Sequence, residues 1–144
     1  MKTLYEDDFL LLKGIINDGA DTCIVSFTGV GHTMAGLNVQ KEEFVGSALK
    51  NGSVFFVTDK TRSWSNKICE DKLIEVFSGF GHFKNIVAIG NSMGGTNALL
   101  MGPKLGCQTI IAFTPQFSVH PEVFPDLKDK KLMEYRDAID EWVF

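Results

Sequence analysis

The residues best suited to chemistry are Gly90, Ser92 and Gly94, a Gly-x-Ser-x-Gly spacing that follows the apolar run Ile86–Ile89 and leads into a helix-like segment. A serine so placed sits on a sharp turn between strand and helix. Its hydroxyl projects above the sheet edge, and the flanking glycines relieve the clash of so tight a bend. A serine hydroxyl is a poor nucleophile near neutral pH, so it needs a general base, and the base needs an acid to orient it. Negative charge developing on the substrate oxygen needs amide donors. Met93, directly after the serine, supplies one oxyanion donor. The glycine-rich turn Thr28-Gly29-Val30-Gly31-His32 supplies the other through Gly29 or Val30, with His32 placed to touch substrate.

The chain has three histidines to offer as base. His120 falls in the loop beyond the strand that follows the serine's helix, on the carboxyl edge of the sheet where α/β active sites collect, and is the candidate catalytic base. His82 belongs near a helix end on the opposite edge and reads as structural. Asp126 and Asp59 are candidate orienting acids only because their loops could face the site. Each reading has a plainer competitor: an incidental serine in a glycine-eased turn, a solvated loop histidine beside Pro121, and, for Trp64, a ring that covers a helix end rather than a pocket.

These residues need a scaffold, and the sequence supplies runs for one. Thr22–Thr28, Ser53–Thr58, Asn85–Gly90 and Cys107–Thr114 are too apolar to alternate, as strands buried on both faces of a parallel sheet are. Between the first two, Gln40–Lys50 places Phe44, Val45, Ala48 and Leu49 on one helical face, with Gly52 to end it. Cys69, Leu73, Val76, Phe77 and Phe80 form a second helical stripe, with Ser65 and Asn66 as candidate caps. The helix after Ser92 should end at Gly102-Pro103, because proline lacks the amide that the ladder needs. Phe9–Ile16 reads as an antiparallel edge strand in preference to a helix, and Leu132, Tyr135, Ile139 and Trp142 suggest a last helix. The expectation is one α/β domain over residues 1–144, a three-layer α/β/α arrangement with a mostly parallel sheet of right-handed crossovers.

Composition narrows the partners. The 144 residues carry a formal charge of −4 with acids and bases interspersed, so neither nucleic acid nor an anionic membrane surface is expected as a partner. Cys23, Cys69 and Cys107 are too few and too scattered for a disulfide framework or a zinc knuckle. The loop Gly29–Gly36 matches neither a Gly-Lys-Ser/Thr phosphate loop nor Gly-x-Gly-x-x-Gly, so no cofactor and no metal is expected. With acids where a signal peptide needs an apolar run, and no stretch long enough to span a bilayer, a cytoplasmic location is expected.

Three separated segments, Gly90-Asn91-Ser92-Met93-Gly94-Gly95, Ala112-Phe113-Thr114-Pro115-Gln116 and Asp59-Lys60-Thr61-Arg62-Ser63-Trp64, give the chain from about Cys23 onward a pattern that resembles bacterial members of the α/β-hydrolase superfamily. The resemblance implies a serine hydrolase of esterase or acyl-hydrolase type acting on a small acyl substrate. Family members continue past the strand corresponding to Cys107–Thr114 with further strands that carry the acid and the histidine, whereas this sequence stops at Phe144. A truncated hydrolase-like domain lacking the usual histidine is therefore expected, and the alternative function is a non-catalytic binding or structural module. A homodimer covering the exposed sheet edge would stabilise either version.

Overall fold

A computed structural model describes residues 1–34, 37–50 and 52–144, so Gly36, the far end of the glycine-rich loop, lies outside the described residues. The elements in chain order are β1 (Lys2–Glu6), β2 (Leu10–Ile15), β3 (Thr22–Phe27), β4 (His32–Met34), β5 (Leu37–Val39), α1 (Val45–Ala48), β6 (Ser53–Asp59), α2 (Glu70–Ser78), β7 (Asn85–Asn91), α3 (Met93–Met101), β8 (Thr109–Phe113) and α4 (Lys130–Asp137). Six strands form one sheet in the order β1-β2-β6-β3-β7-β8, while β4 and β5 pair as a separate hairpin.

The three-layer, mostly parallel expectation is corrected on two counts. First, the sheet is mixed: β6, β3, β7 and β8 run parallel, but β1 pairs antiparallel with β2, and β2 antiparallel with β6. The Phe9–Ile16 segment is the strand β2, yet it lies inside the sheet, because β1 covers it and takes the edge. Second, the helices are short and lie mainly on one face. Leu73 and Phe77 of α2 and Ala98 and Met101 of α3 pack with Leu12, Val25, Phe27, Phe55 and Val57 into the main core. On the opposite face, Ala48 and Val45 of the single-turn α1 form a smaller cluster with Ile24, Val54 and Phe56.

The helix expected over Gln40–Lys50 shrinks to that one turn for a physical reason. Phe44 takes a left-handed conformation (φ 59°) that helix geometry excludes, and its ring stacks on Phe113 at 5.5 Å. The preceding side chains are already committed to the sheet: Gln40 Nε2 donates to the carbonyls of Gly29 and Asp59, and Lys13 Nζ donates to Glu42 at 2.6 Å. With so little helix on this face, Ile111 and Phe113 of the edge strand β8 remain exposed.

The other elements follow local chemistry. α2 forms where its stripe predicts, but its N-cap is Cys69, and Ser65 and Asn66 belong to the preceding turn instead of capping it. α3 stops at Gly102, before Pro103. α4 is capped by Asp129, whose carboxylate accepts from the amides of Lys131 and Leu132, and it ends before Ile139 and Trp142. Among the described residues no helix is long and apolar enough to cross a membrane.

Candidate active site around Ser92

β7 delivers the chain to Asn91, and α3 begins at Met93, so the whole reversal falls on Ser92. Its backbone sits at φ 56°, ψ −124°, a region that costs a side-chain-bearing residue about 1–3 kcal/mol. The neighbourhood holds it there: the Ser92 amide donates to the Phe113 carbonyl at 2.9 Å, and its own carbonyl receives the Thr96 amide at 3.1 Å. Glycine is required on both sides. A Cβ on Gly90 would strike the Gly94 carbonyl, and one on Gly94 would strike the Phe27 carbonyl of β3.

Ser92 Oγ accepts a hydrogen bond from Gln116 Nε2 at 2.9 Å. Gln116 is fixed at both ends, its Oε1 receiving the Trp64 indole N–H at 3.2 Å and its backbone carbonyl receiving Thr96 Oγ1 at 2.8 Å. Trp64 is 3% exposed and packs with Met93, Val119 and Ile139 beneath the start of α3. It is therefore both a core ring and the residue that orients Gln116. Sequence alone gives Gln116 no role; a glutamine just past a proline after a parallel strand is the one local signal.

Trp64 sits in a turn where Arg62, Trp64 and Ser65 all have positive φ. Asp59 compensates. Its carboxylate, 1% exposed, accepts from the amides of Thr61, Ser63 and Ser65 and from the hydroxyls of Thr61 and Ser63. That commits Asp59 to the turn and not to a histidine. Asp126 is exposed on the loop before α4.

The glycine-rich turn after β3 meets Ser92 across an open cavity of about 350 Å³ walled by Gly29, Val30, Gly31, His32, Glu43, Asn91 and Ser92. Here the structure brings together Ser92, His32 and both loop residues expected as oxyanion donors. The loop is tethered at three points: Gly29 N–H to Glu43 Oε1 at 3.0 Å, Gly29 carbonyl to Gln40, and Val30 carbonyl to Arg62 Nε at 2.9 Å. Because the Gly29–Val30 peptide is trans, the Val30 N–H points away from Gln40, and it has no partner among the described residues. The Gly29 N–H, by contrast, is already taken. Met93 N–H lies ahead of the first intrahelical bond of α3, among the donors a helix leaves unsatisfied.

Among the described residues the serine hydroxyl's hydrogen bond is to Gln116, and His120 makes none to it. The imidazole packs edge-on against Trp142 at 4.8 Å, and its Nδ1 accepts from the Glu122 amide at 3.2 Å. That bond puts the proton of the neutral ring on Nε2, making it a donor. His82 is exposed in the turn after α2.

Glu43 is the cavity residue that sequence reasoning missed. Burial pushes its carboxyl above the ordinary glutamate range, partly opposed by the Gly29 amide bond. Among the described residues no group of three or more His, Cys, Asp or Glu side chains is arranged to hold a metal.

No family model matches the chain, and no curated protein matches it. Solved structures that resemble it include the capsule O-acetyltransferase of Neisseria meningitidis serogroup A in complex with caged gadolinium, at a TM-score of 0.68 and 16% identity over 92% of this chain and 58% of that one. The same acetyltransferase without that complex gives 0.67 and 16% over 92% and 57%, and a histidine-to-alanine mutant in complex with CoA gives 0.68 and 16% over 92% and 57%. At this identity the likeness carries the fold alone, and the chain spans about 58% of the acetyltransferase's length. These findings correct the motif-based assignment. The expected α/β-hydrolase membership has no matching family model, and these solved structures are of an O-acetyltransferase, so the serine esterase reading is overturned with it. The reason lies in what the motif encodes. Gly-x-Ser-x-Gly specifies a turn that presents a hydroxyl, and a turn does not determine whether an acyl group passes to water or to another acceptor.

Proposed function

We propose that this chain carries an acyltransferase site in which Ser92 accepts an acyl group from a thioester and passes it to a hydroxyl acceptor. The observation that carries the reading is Ser92 held at φ 56° on the strand-to-helix turn, at the wall of a cavity shared with the Val30 loop and His32. In this reading Ser92 Oγ attacks the acyl carbonyl, and the Met93 and Val30 amides stabilise the oxyanion. Gly29, its own amide held by Glu43, serves by letting backbone approach: a Cβ there would lie 3.0 Å from the Asn91 carbonyl.

Gln116, braced by Trp64, fixes Ser92 Oγ and leaves its O–H free to be donated elsewhere. His32, exposed at the cavity wall, contacts the incoming donor or acceptor. His120 presents a donor at Nε2 and joins the reaction only after its bond to Glu122 breaks. The fold shared with an acetyltransferase captured in complex with CoA supports a small acyl thioester as donor. The test is to incubate the protein with acetyl-CoA and glycerol and measure acetylglycerol and free thiol. Thiol and ester forming together, in wild type and not in Ser92→Ala, support the reading; thiol released without ester, at a rate unaffected by glycerol, sinks it.

A further inference from the structure

Glu43 has no part in the chemistry described so far, yet its carboxyl lines the cavity that holds Ser92. It is rigidly placed. Its backbone carbonyl accepts from Ser26 Oγ at 2.9 Å on β3, its Oε1 accepts from Gly29 N–H at 3.0 Å, and the next residue, Phe44, is locked by its stack on Phe113. The Gly29 position ties it to the serine: a Cβ there would lie 3.0 Å from both Glu43 Oε1 and the carbonyl of Asn91, the residue before Ser92.

Among the described residues the carboxyl also has no counter-ion. Its neighbour Glu42 is paired with Lys13, but Glu43 has only the Gly29 amide among the described residues, and no lysine or arginine lines the cavity. A half-buried carboxylate without a cation costs stability, and such groups gather where chemistry needs a base. Its raised proton affinity, caused by burial, brings it nearer the value suited to general-base work at neutral pH.

We infer that Glu43 is the proton shuttle of this site, a reading that rests on the acyltransferase proposal. In the first half-reaction the Ser92 hydroxyl proton passes to Glu43 as Oγ bonds to the acyl carbon; the thioester C–S bond breaks, and the thiolate leaves with that proton. In the second, the acceptor hydroxyl gives its proton to Glu43 as its oxygen bonds to the acyl carbon. The Oγ–acyl bond then breaks, and Ser92 recovers the proton. Among the described residues, the only other ionisable group on the cavity wall is His32.

The test is the pH dependence of Ser92 acylation by p-nitrophenyl acetate, followed by stopped-flow absorbance and confirmed by mass spectrometry of the Ser92 peptide. Wild type should show one acid limb. Glu43→Gln keeps the Gly29 hydrogen bond and should slow acylation at least ~100-fold with the limb gone, the scale of a lost general base. Glu43→Asp restores a limb, and His32→Gln retains it. Glu43→Gln acylating within about threefold of wild type, or a limb that disappears in His32→Gln instead, overturns the role of Glu43. A folded wild type that never acylates at Ser92 sinks the acyltransferase reading itself, which separates the two failures.

Discussion

Replacing Gln116 with leucine tests the brace behind Ser92. The substitution keeps side-chain volume but removes the acceptor of the Trp64 indole N–H and the donor to Ser92 Oγ. Trp64 is 3% exposed, so water cannot replace the lost acceptor, and a buried donor left unpaired costs about 1–3 kcal/mol. Ser92 is half-buried and its hydroxyl can turn to the open cavity, so it adds little. About 2 kcal/mol is the expected loss. Over 144 residues the unfolding entropy is about 0.3 kcal/mol/K, which makes the drop in Tm about 7 °C by far-UV circular dichroism. A double-mutant cycle with Trp64→Phe isolates the bond: the two changes together should cost about 1 kcal/mol less than their sum, because each removes the same interaction. Costs that add within about 0.3 kcal/mol would refute the argument that Trp64 braces Gln116.

Other consequences are open to direct measurement. Gly94→Ala forces a methyl into the Phe27 carbonyl, so it should destabilise by roughly 3 kcal/mol, read as a shift in the urea midpoint; a wild-type midpoint would contradict the crossing of α3 over β3. Because burial raises the folded-state pKa of Glu43, its contribution favours folding at low pH and is lost as pH rises past the ordinary glutamate range. Glu43→Gln should therefore match wild-type stability near about pH 4 and exceed it near about pH 7, and equal stability at both would contradict the desolvated carboxyl. Burial pushes the Cys23 thiol up to about 12 and the Cys107 thiol up to about 11, while Cys69 is exposed. Iodoacetamide at neutral pH should label the native chain at Cys69 alone, with peptide mapping as the check.

How far the fold could be read in advance varies by element, for identifiable reasons. Strands β3 and β6 announce themselves because both of their faces are covered and their runs are largely apolar, and β7 and β8 through the same apolar runs, although β8 lies at the edge with Ile111 and Phe113 exposed. β1 does not, because Lys2, Thr3 and Glu6 are exposed on an edge strand while only Leu4 and Tyr5 pack against the core. The second helical layer failed because the spacing of Phe44, Val45, Ala48 and Leu49 carries no trace of what Gln40, Glu42 and Glu43 do with their side chains.

The site divides in the same way. That Ser92, the Val30 loop and His32 line one cavity is legible because Ser92 follows β7 and the Val30–His32 loop follows β3, two parallel strands whose direction the pattern fixes. The contacts of Gln116 and Glu43 arise only in three dimensions, the first reaching back 24 residues to Ser92 and the second 14 to Gly29. Whether the acyl group goes to water or to a hydroxyl depends on the acceptor's surroundings, which the pentapeptide does not encode.

The most direct test of the central claim is mass spectrometry of the intact chain after brief exposure to acetyl-CoA, with peptide mapping and a chase of glycerol. The account predicts a single acetyl group on Ser92 that the chase removes as acetylglycerol, and none on Ser92→Ala. A folded wild type that gains no acetyl group, or gains it equally in Ser92→Ala, would contradict it.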